Sequence, residues 1–132
     1  MTSDQAQISQ PREAATTLSP EAVQRAADAL LAVRRGAPPI TALPAGAEPA
    51  SYADIYAIQD AVTAQLTPAE GYKLGKLPDG FMCAPLHRET VRRRPMLSAA
   101  ALTQPLVEAE LAFRMNRDIP LGISAAELRE AM

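Results

Sequence analysis

The chain has 132 residues, of which 48% are hydrophobic and 21% charged, with a formal net charge of −2. That balance excludes a disordered polyelectrolyte and gives room for one hydrophobic core, but not for two full domains. Basic residues are scattered apart from Arg88 and the run Arg92, Arg93, Arg94, so no extended basic face is expected and nucleic acid is not an expected partner. The single cysteine cannot close an internal disulfide, and the first residues lack the basic start and apolar stretch of a secretory signal. No apolar run approaches the roughly 20 residues that span a bilayer. The expected setting is cytoplasmic, with no membrane partner.

Residues 1–18 are rich in Gln, Ser, Thr and Ala without a sustained apolar period, the composition of a disordered leader. A single α+β domain is expected over 19–132. Ser19 suits a helix cap, Pro20 the first helical position and Glu21 the positive helix end. Val23, Ala26, Ala27, Leu30 and Leu31 share one face, and Gly36 ends the helix after Arg35. Four prolines between Gly36 and Pro49 predict an extended surface connection. Ser51 caps a second helix whose apolar side is Tyr52, Ile55, Tyr56, Ile58 or Gln59, Val62 and Leu66, closed by Pro68 and Gly71. Tyr72 to Leu77 and Gln104 to Arg114 are expected strands. The stretch between them, with Pro78, Gly80, Pro85 and Pro95, is an expected loop. Ser124 and Glu127 form a capping-box pattern opening a short helix that continues to Met132. The fold class is therefore α+β, with N-terminal helices packed on a mixed sheet.

In Val107-Glu108-Ala109-Glu110-Leu111-Ala112-Phe113, strand alternation puts Glu108 and Glu110 on one face, with Cα atoms about 7 Å apart. Two glutamates at that spacing reach one hard cation, magnesium or manganese, bound at roughly 2.1 Å. A half-buried strand with an acidic outer face has the same pattern. Lys73 lies between Gly71 and Gly75, where glycines let the backbone approach a ligand and the ammonium can hold a carboxylate or an oxyanion. An exposed lysine on an edge strand is the alternative, and Lys76 is as available. His87 has no nucleophile partner at a suggestive spacing and is expected at the surface. Cys83 lacks the companions of a zinc site and is expected as a buried small apolar side chain. The Arg92 to Arg94 run is read as a solvated face, with a subunit contact or anion attraction as the alternative.

The order of these segments resembles the N-terminal half of the 2-keto-4-pentenoate hydratase and 4-oxalocrotonate decarboxylase group of the fumarylacetoacetate hydrolase superfamily. The matching stretches are Ala26 to Arg35, Tyr56-Ala57-Ile58-Gln59, Gly71-Tyr72-Lys73-Leu74-Gly75, Cys83-Ala84-Pro85-Leu86, and Val107 to Phe113 followed by Arg117-Asp118-Ile119-Pro120. Together they cover roughly residues 20 to 132. The resemblance implies that Glu108 and Glu110 are two of three carboxylates holding a divalent metal, usually magnesium, and that Lys73 is the active-site lysine. It places the third carboxylate, an aspartate, further along than Met132, with Asp118 no substitute. Lys76 stands where such sequences more often have a small or hydroxyl residue.

The implied substrate is a small 2-hydroxy-dienoic acid or its 2-oxo tautomer, hydrated in the catabolism of aromatic compounds. Decarboxylation of a 2-oxo diacid is the alternative within the same group. A non-catalytic reading is a truncated product or association module, for which an unpaired sheet edge predicts self-association and a homo-oligomer.

Overall fold

The computed structural model describes residues 15–78, 80–92, 96, 98, 100, 106–120 and 122–132. Contacts divide the chain into two units, Met1–Met96 and Leu97–Met132. The described residues form an α+β arrangement: α1 (Pro20–Arg34), α2 (Tyr52–Thr63), β1 (Ala69–Leu77), β2 (Gly80–His87) and α3 (Ala125–Glu130). No helix among them is long and apolar enough to cross a membrane.

In the first unit, α1 starts where its caps dictate. The Ser19 hydroxyl accepts the Ala22 amide, and Pro20 occupies the first turn, where a missing N–H costs nothing. The helix ends in a Schellman arrangement. Gly36, at φ +103°, donates its amide to the Val33 carbonyl, while the Ala37 amide reaches back to Ala32. The buried face of α1 is Ala22, Ala26, Ala27 and Leu31, with Leu30 more exposed than its place in the periodicity predicts.

Small side chains let the next segment approach closely. In the connection after α1, the Ala47 amide closes a turn on the Pro44 carbonyl with Gly46 at φ +72°. That turn drives Ala47 into the core, where it joins Ala22, Ala26 and Ile58, flanked by Leu18, Val23 and Leu43. The expected extended connection is thus present, but one of its residues is a core residue.

The sheet departs from expectation. Among the described residues it is two-stranded and antiparallel rather than mixed, and β2 occupies part of the stretch expected as loop. Register pairs Leu74 with Cys83, Tyr72 with Pro85 and Lys76 with Phe81, with an irregularity between Ala69 and Gly71. Pro85 is accommodated for a specific reason. Cys83 sends its amide to Tyr56 Oη (3.0 Å), and its carbonyl accepts from Gln59 Nε2 (3.2 Å). The Cys83 backbone therefore faces α2, away from β1. Pro85, two residues on, faces the same way, so its missing N–H removes no ladder bond.

His87, expected at the surface, is 5% exposed at the end of β2. Its Nδ1 lies 2.7 Å from the Thr67 carbonyl oxygen. A carbonyl only accepts, so Nδ1 carries the hydrogen. The imidazole joins the end of the hairpin to the residues leading into β1.

The second unit has a different character. The strand expected over Gln104 to Arg114 does not form in its described part. Residues 106–115 take neither helix nor strand, and all are exposed, Val107 completely. An alternating sequence becomes a strand only when a neighbour accepts its ladder bonds, and the sheet among the described residues consists of β1 and β2 alone. Helix α3 begins at its expected capping box. It stops at Glu130 because Asn116 takes the end of the helix: its amide binds the Ala131 carbonyl (2.7 Å) and its side-chain nitrogen lies 3.4 Å from the Glu130 carbonyl.

Candidate functional site

Lys73 is on β1 in the first unit, opposite Ala84 in the ladder, and is exposed. Glu108 and Glu110 belong to the second unit and are exposed within the irregular segment. All three have interactions of their own. The inference that Glu108 and Glu110 share a face needs a pleated strand, and residues 106–115 do not supply one.

The glycines flanking Lys73 are informative. Neither has positive φ, and a methyl group added at Gly71 or Gly75 would meet its nearest neighbour, Leu86 Cδ1 or the Met82 carbonyl oxygen, at 4.0 Å. That is ordinary contact, so the fold of the first unit does not itself demand glycine there.

Carboxylate oxygens are the donors that magnesium and manganese prefer. Glu108 and Glu110 offer such donors, but among the described residues no three His, Cys, Asp or Glu side chains gather to hold a metal ion. The donor type fits a hard divalent cation, and the donor number falls short of a complete protein site. Cys83 is part-buried, with its backbone bound to α2 as described above.

The most elaborate polar site is one the sequence did not reveal. Asp54, on the first turn of α2, is 0% exposed. Its Oδ1 accepts from Thr16 Oγ1 (2.6 Å), the Thr17 amide (2.7 Å) and the Leu18 amide (3.2 Å). Its Oδ2 accepts from Thr17 Oγ1 (2.9 Å), the Ala50 amide (3.0 Å), and the amide (3.0 Å) and hydroxyl (2.9 Å) of Ser51. Ser51 Oγ in turn accepts the Asp54 amide, completing a capping box. The Thr16 hydroxyl, opposed by burial and helped by Thr17 and Ser51, holds the carboxyl well below the usual carboxylate range.

The signal for part of this was present in Ser51-x-x-Asp54. The donors from Thr16, Thr17 and Leu18 were not legible, because they lie 36 to 38 residues away in sequence. Residues 16–18, expected to belong to the leader, are thereby held on α2. Asp54 has its oxygens directed into backbone and hydroxyl donors, so its evident work is structural.

Arg88 pairs with Glu70 at 2.8 Å and Arg34 with Glu89 at 3.4 Å on the surface of the first unit. Arg92 is exposed, while Arg93 and Arg94 lie outside the described residues. An open depression lined by Pro49, Ala50, Ser51, Tyr52 and Ile55 includes none of the three candidate residues. No model of a protein family, no curated protein and no solved structure matches the chain.

Proposed function

We propose that the chain is part of a divalent-metal-dependent hydratase of the 2-keto-4-pentenoate hydratase type, with a fumarylacetoacetate hydrolase-like fold and a small 2-hydroxy-dienoic or unsaturated 2-oxo acid as substrate. The observation that carries this reading is the ordered co-occurrence of Gly71-Tyr72-Lys73-Leu74-Gly75 with Val107 to Phe113 and Arg117-Asp118-Ile119-Pro120. It is supported by the placement of Lys73 on a strand whose flanking glycines the packing does not require.

Glu108 and Glu110 would hold magnesium or manganese, which when bound supplies an electrophile for a 2-oxo acid. Lys73 carries three N–H donors on a flexible stem. Its part is to bind the substrate carboxylate or to offset negative charge growing on the C2 oxygen. A 2-hydroxy-dienoic acid first ketonises, losing the enol proton from the C2 oxygen and gaining a proton at C5, to the 3,4-unsaturated 2-oxo acid; water then adds across C3=C4, with hydroxyl to C4 and a proton to C3.

Calorimetric titration tests the assignment, with magnesium or manganese and with oxalate as a mimic of the 2-oxo acid. Metal-dependent oxalate binding is expected to weaken about 10-fold or more in both Glu108→Ala and Glu110→Ala. Lys73→Met should lower oxalate affinity while leaving metal affinity in place. Unchanged binding in the two glutamate variants, or no binding by the folded chain, removes the site from these residues.

A further inference from the structure

We infer that residues 15–18 form a detachable strap, which leaves Asp54 as one unit while α2 keeps its N-terminal cap. The carboxylate divides its work between its two oxygens. Among the described residues, Oδ1 receives donors from the strap alone: the Thr16 hydroxyl (2.6 Å), the Thr17 amide (2.7 Å) and the Leu18 amide (3.2 Å). Oδ2 receives the Ala50 amide and both the amide and hydroxyl of Ser51, together with the Thr17 hydroxyl. The cap is completed by the Asp54 amide on Ser51 Oγ and by the Ile55 amide on the Ser51 carbonyl. Withdrawing the strap therefore frees Oδ1 and leaves in place the bonds that start the helix.

Three donors from consecutive residues on a single atom make the release all or none. A half-withdrawn strap would hold its amides away from both carboxylate and water, whereas a fully withdrawn one is hydrated. Residues 15–18 take neither helix nor strand, and 15–17 are exposed, so chain entropy regained on release offsets part of the bonding lost. The buried charge does not oppose opening, because departure of the strap admits water to Oδ1.

Leu18 couples the strap to the core. It is half-buried and packs against the cluster of Ala22, Ala26, Ala47 and Ile58, so release lifts an apolar side chain from that cluster as it bares an anionic oxygen. Ser19, the next residue, caps α1 through the Ala22 amide, a bond that does not involve Asp54. Both helices keep their caps, and Ser19 is the fixed end about which the strap swings. The device has a closed state and an open one, the open one presenting an apolar patch beside a carboxylate.

Amide exchange of the full chain, followed residue by residue from zero to about 2 M urea, tests the inference. Thr17 and Leu18 should share one opening reaction, about 10-fold or more frequent than the opening that exposes the amides of Ser51, Asp54 and Ile55. That opening should depend only weakly on urea, because it exposes little surface. Thr16→Val keeps the side-chain shape and removes the hydroxyl that donates to Oδ1 and accepts the Leu18 amide. It should open the strap about 5-fold more often and leave exchange at Ser51, Asp54 and Ile55 within about 2-fold. Exchange of Thr17 and Leu18 with the rate and urea dependence of the α2 amides would make the strap part of the global fold. Faster exchange at Ser51, Asp54 and Ile55 in Thr16→Val would mean that the cap leaves with it. Either result overturns the inference, as do unequal openings at Thr17 and Leu18. Should Thr16→Val fail to fold, the urea series on the unaltered chain decides alone.

Discussion

Two capping boxes in this chain are built to one local recipe and end in different circumstances. Ser51 and Asp54 open α2, and Ser124 and Glu127 open α3. In both, the serine hydroxyl takes the amide three residues on, and the acidic side chain returns to the serine amide. Glu127 is exposed and its carboxylate is bound by Ser124 alone among the described residues. Asp54 is buried, and beyond Ser51 it accepts donors from Thr16, Thr17, Leu18 and Ala50. One carboxylate finishes a helix end. The other also fastens a distant segment to that helix.

The difference teaches that a cap's energetic weight is set by what packs around it. Water competes for Glu127 at every moment, so its bonds exchange like for like. Around Asp54 water is excluded, and a charge there is tolerable only because donors surround both oxygens.

The largest expected effect is therefore at Asp54. Asp54→Ala leaves the Thr16, Thr17, Leu18, Ala50 and Ser51 donors without their acceptor in a buried place, and should lower the melting temperature by about 10 °C or more in calorimetry. Amide exchange at residues 17 and 18 should accelerate with it. A melting temperature within about 2 °C of the unaltered chain would show that the network is not what holds this segment.

Acid offers a graded version of the same experiment. The folded-state pKa of Asp54 is depressed, so its contribution is fully present above the unfolded carboxylate value near 3.9 and disappears as pH falls through the folded value. Glu21 and Glu127 are lowered too and act in the same direction, Glu21 chiefly through its own amide and Glu127 chiefly through the Ser124 amide. Urea unfolding is expected to show stability falling from about pH 4 downward, with the slope shallower in Asp54→Asn. Equal slopes in the two proteins would assign the acid sensitivity elsewhere.

A smaller change is expected from Thr17→Val, which removes one hydroxyl donor and keeps the shape and the amide bond. One hydrogen bond to a charged acceptor is lost while two further hydroxyl donors remain to soften the loss, so the melting temperature should fall by less than in Asp54→Ala. The smallest effect belongs to Glu127→Ala. It should speed amide exchange in residues 125–130 while moving the main melting transition by about 1 °C or less. A large shift there would mean that α3 is bound into the main cooperative transition.

Much of the local structure was readable from the sequence because its causes are local. Ser19 with Pro20, Gly36, Ser51 and the Ser124–Glu127 pair each act on atoms within a few residues, and each set a helix end where expected, apart from the stop of α3; α2 also stops early, at Thr63, short of Leu66 and of the expected Pro68 and Gly71. The candidate residues Lys73, Glu108 and Glu110 were also chosen from local pattern. Of these, Lys73 stands on a strand as expected, while the glutamates lie outside any regular element.

What only the tertiary structure decided concerns backbone groups and side chains whose partners are remote. Pro85 argued for a loop until α2 received the outward face of β2, where a missing N–H has no consequence. His87 looked solvent-facing until the hairpin placed Thr67 against its ring. Alternation in Val107 to Phe113 described a strand, but pairing is a property of two segments and no neighbouring strand received this one among the described residues. Asp54 had the same local motif as Glu127, and only the approach of residues 16–18 made it the buried centre of a network in the first unit. Sequence specifies what each residue can offer over one helical turn; long-range packing determines which offers are taken up and which lose their competition with water.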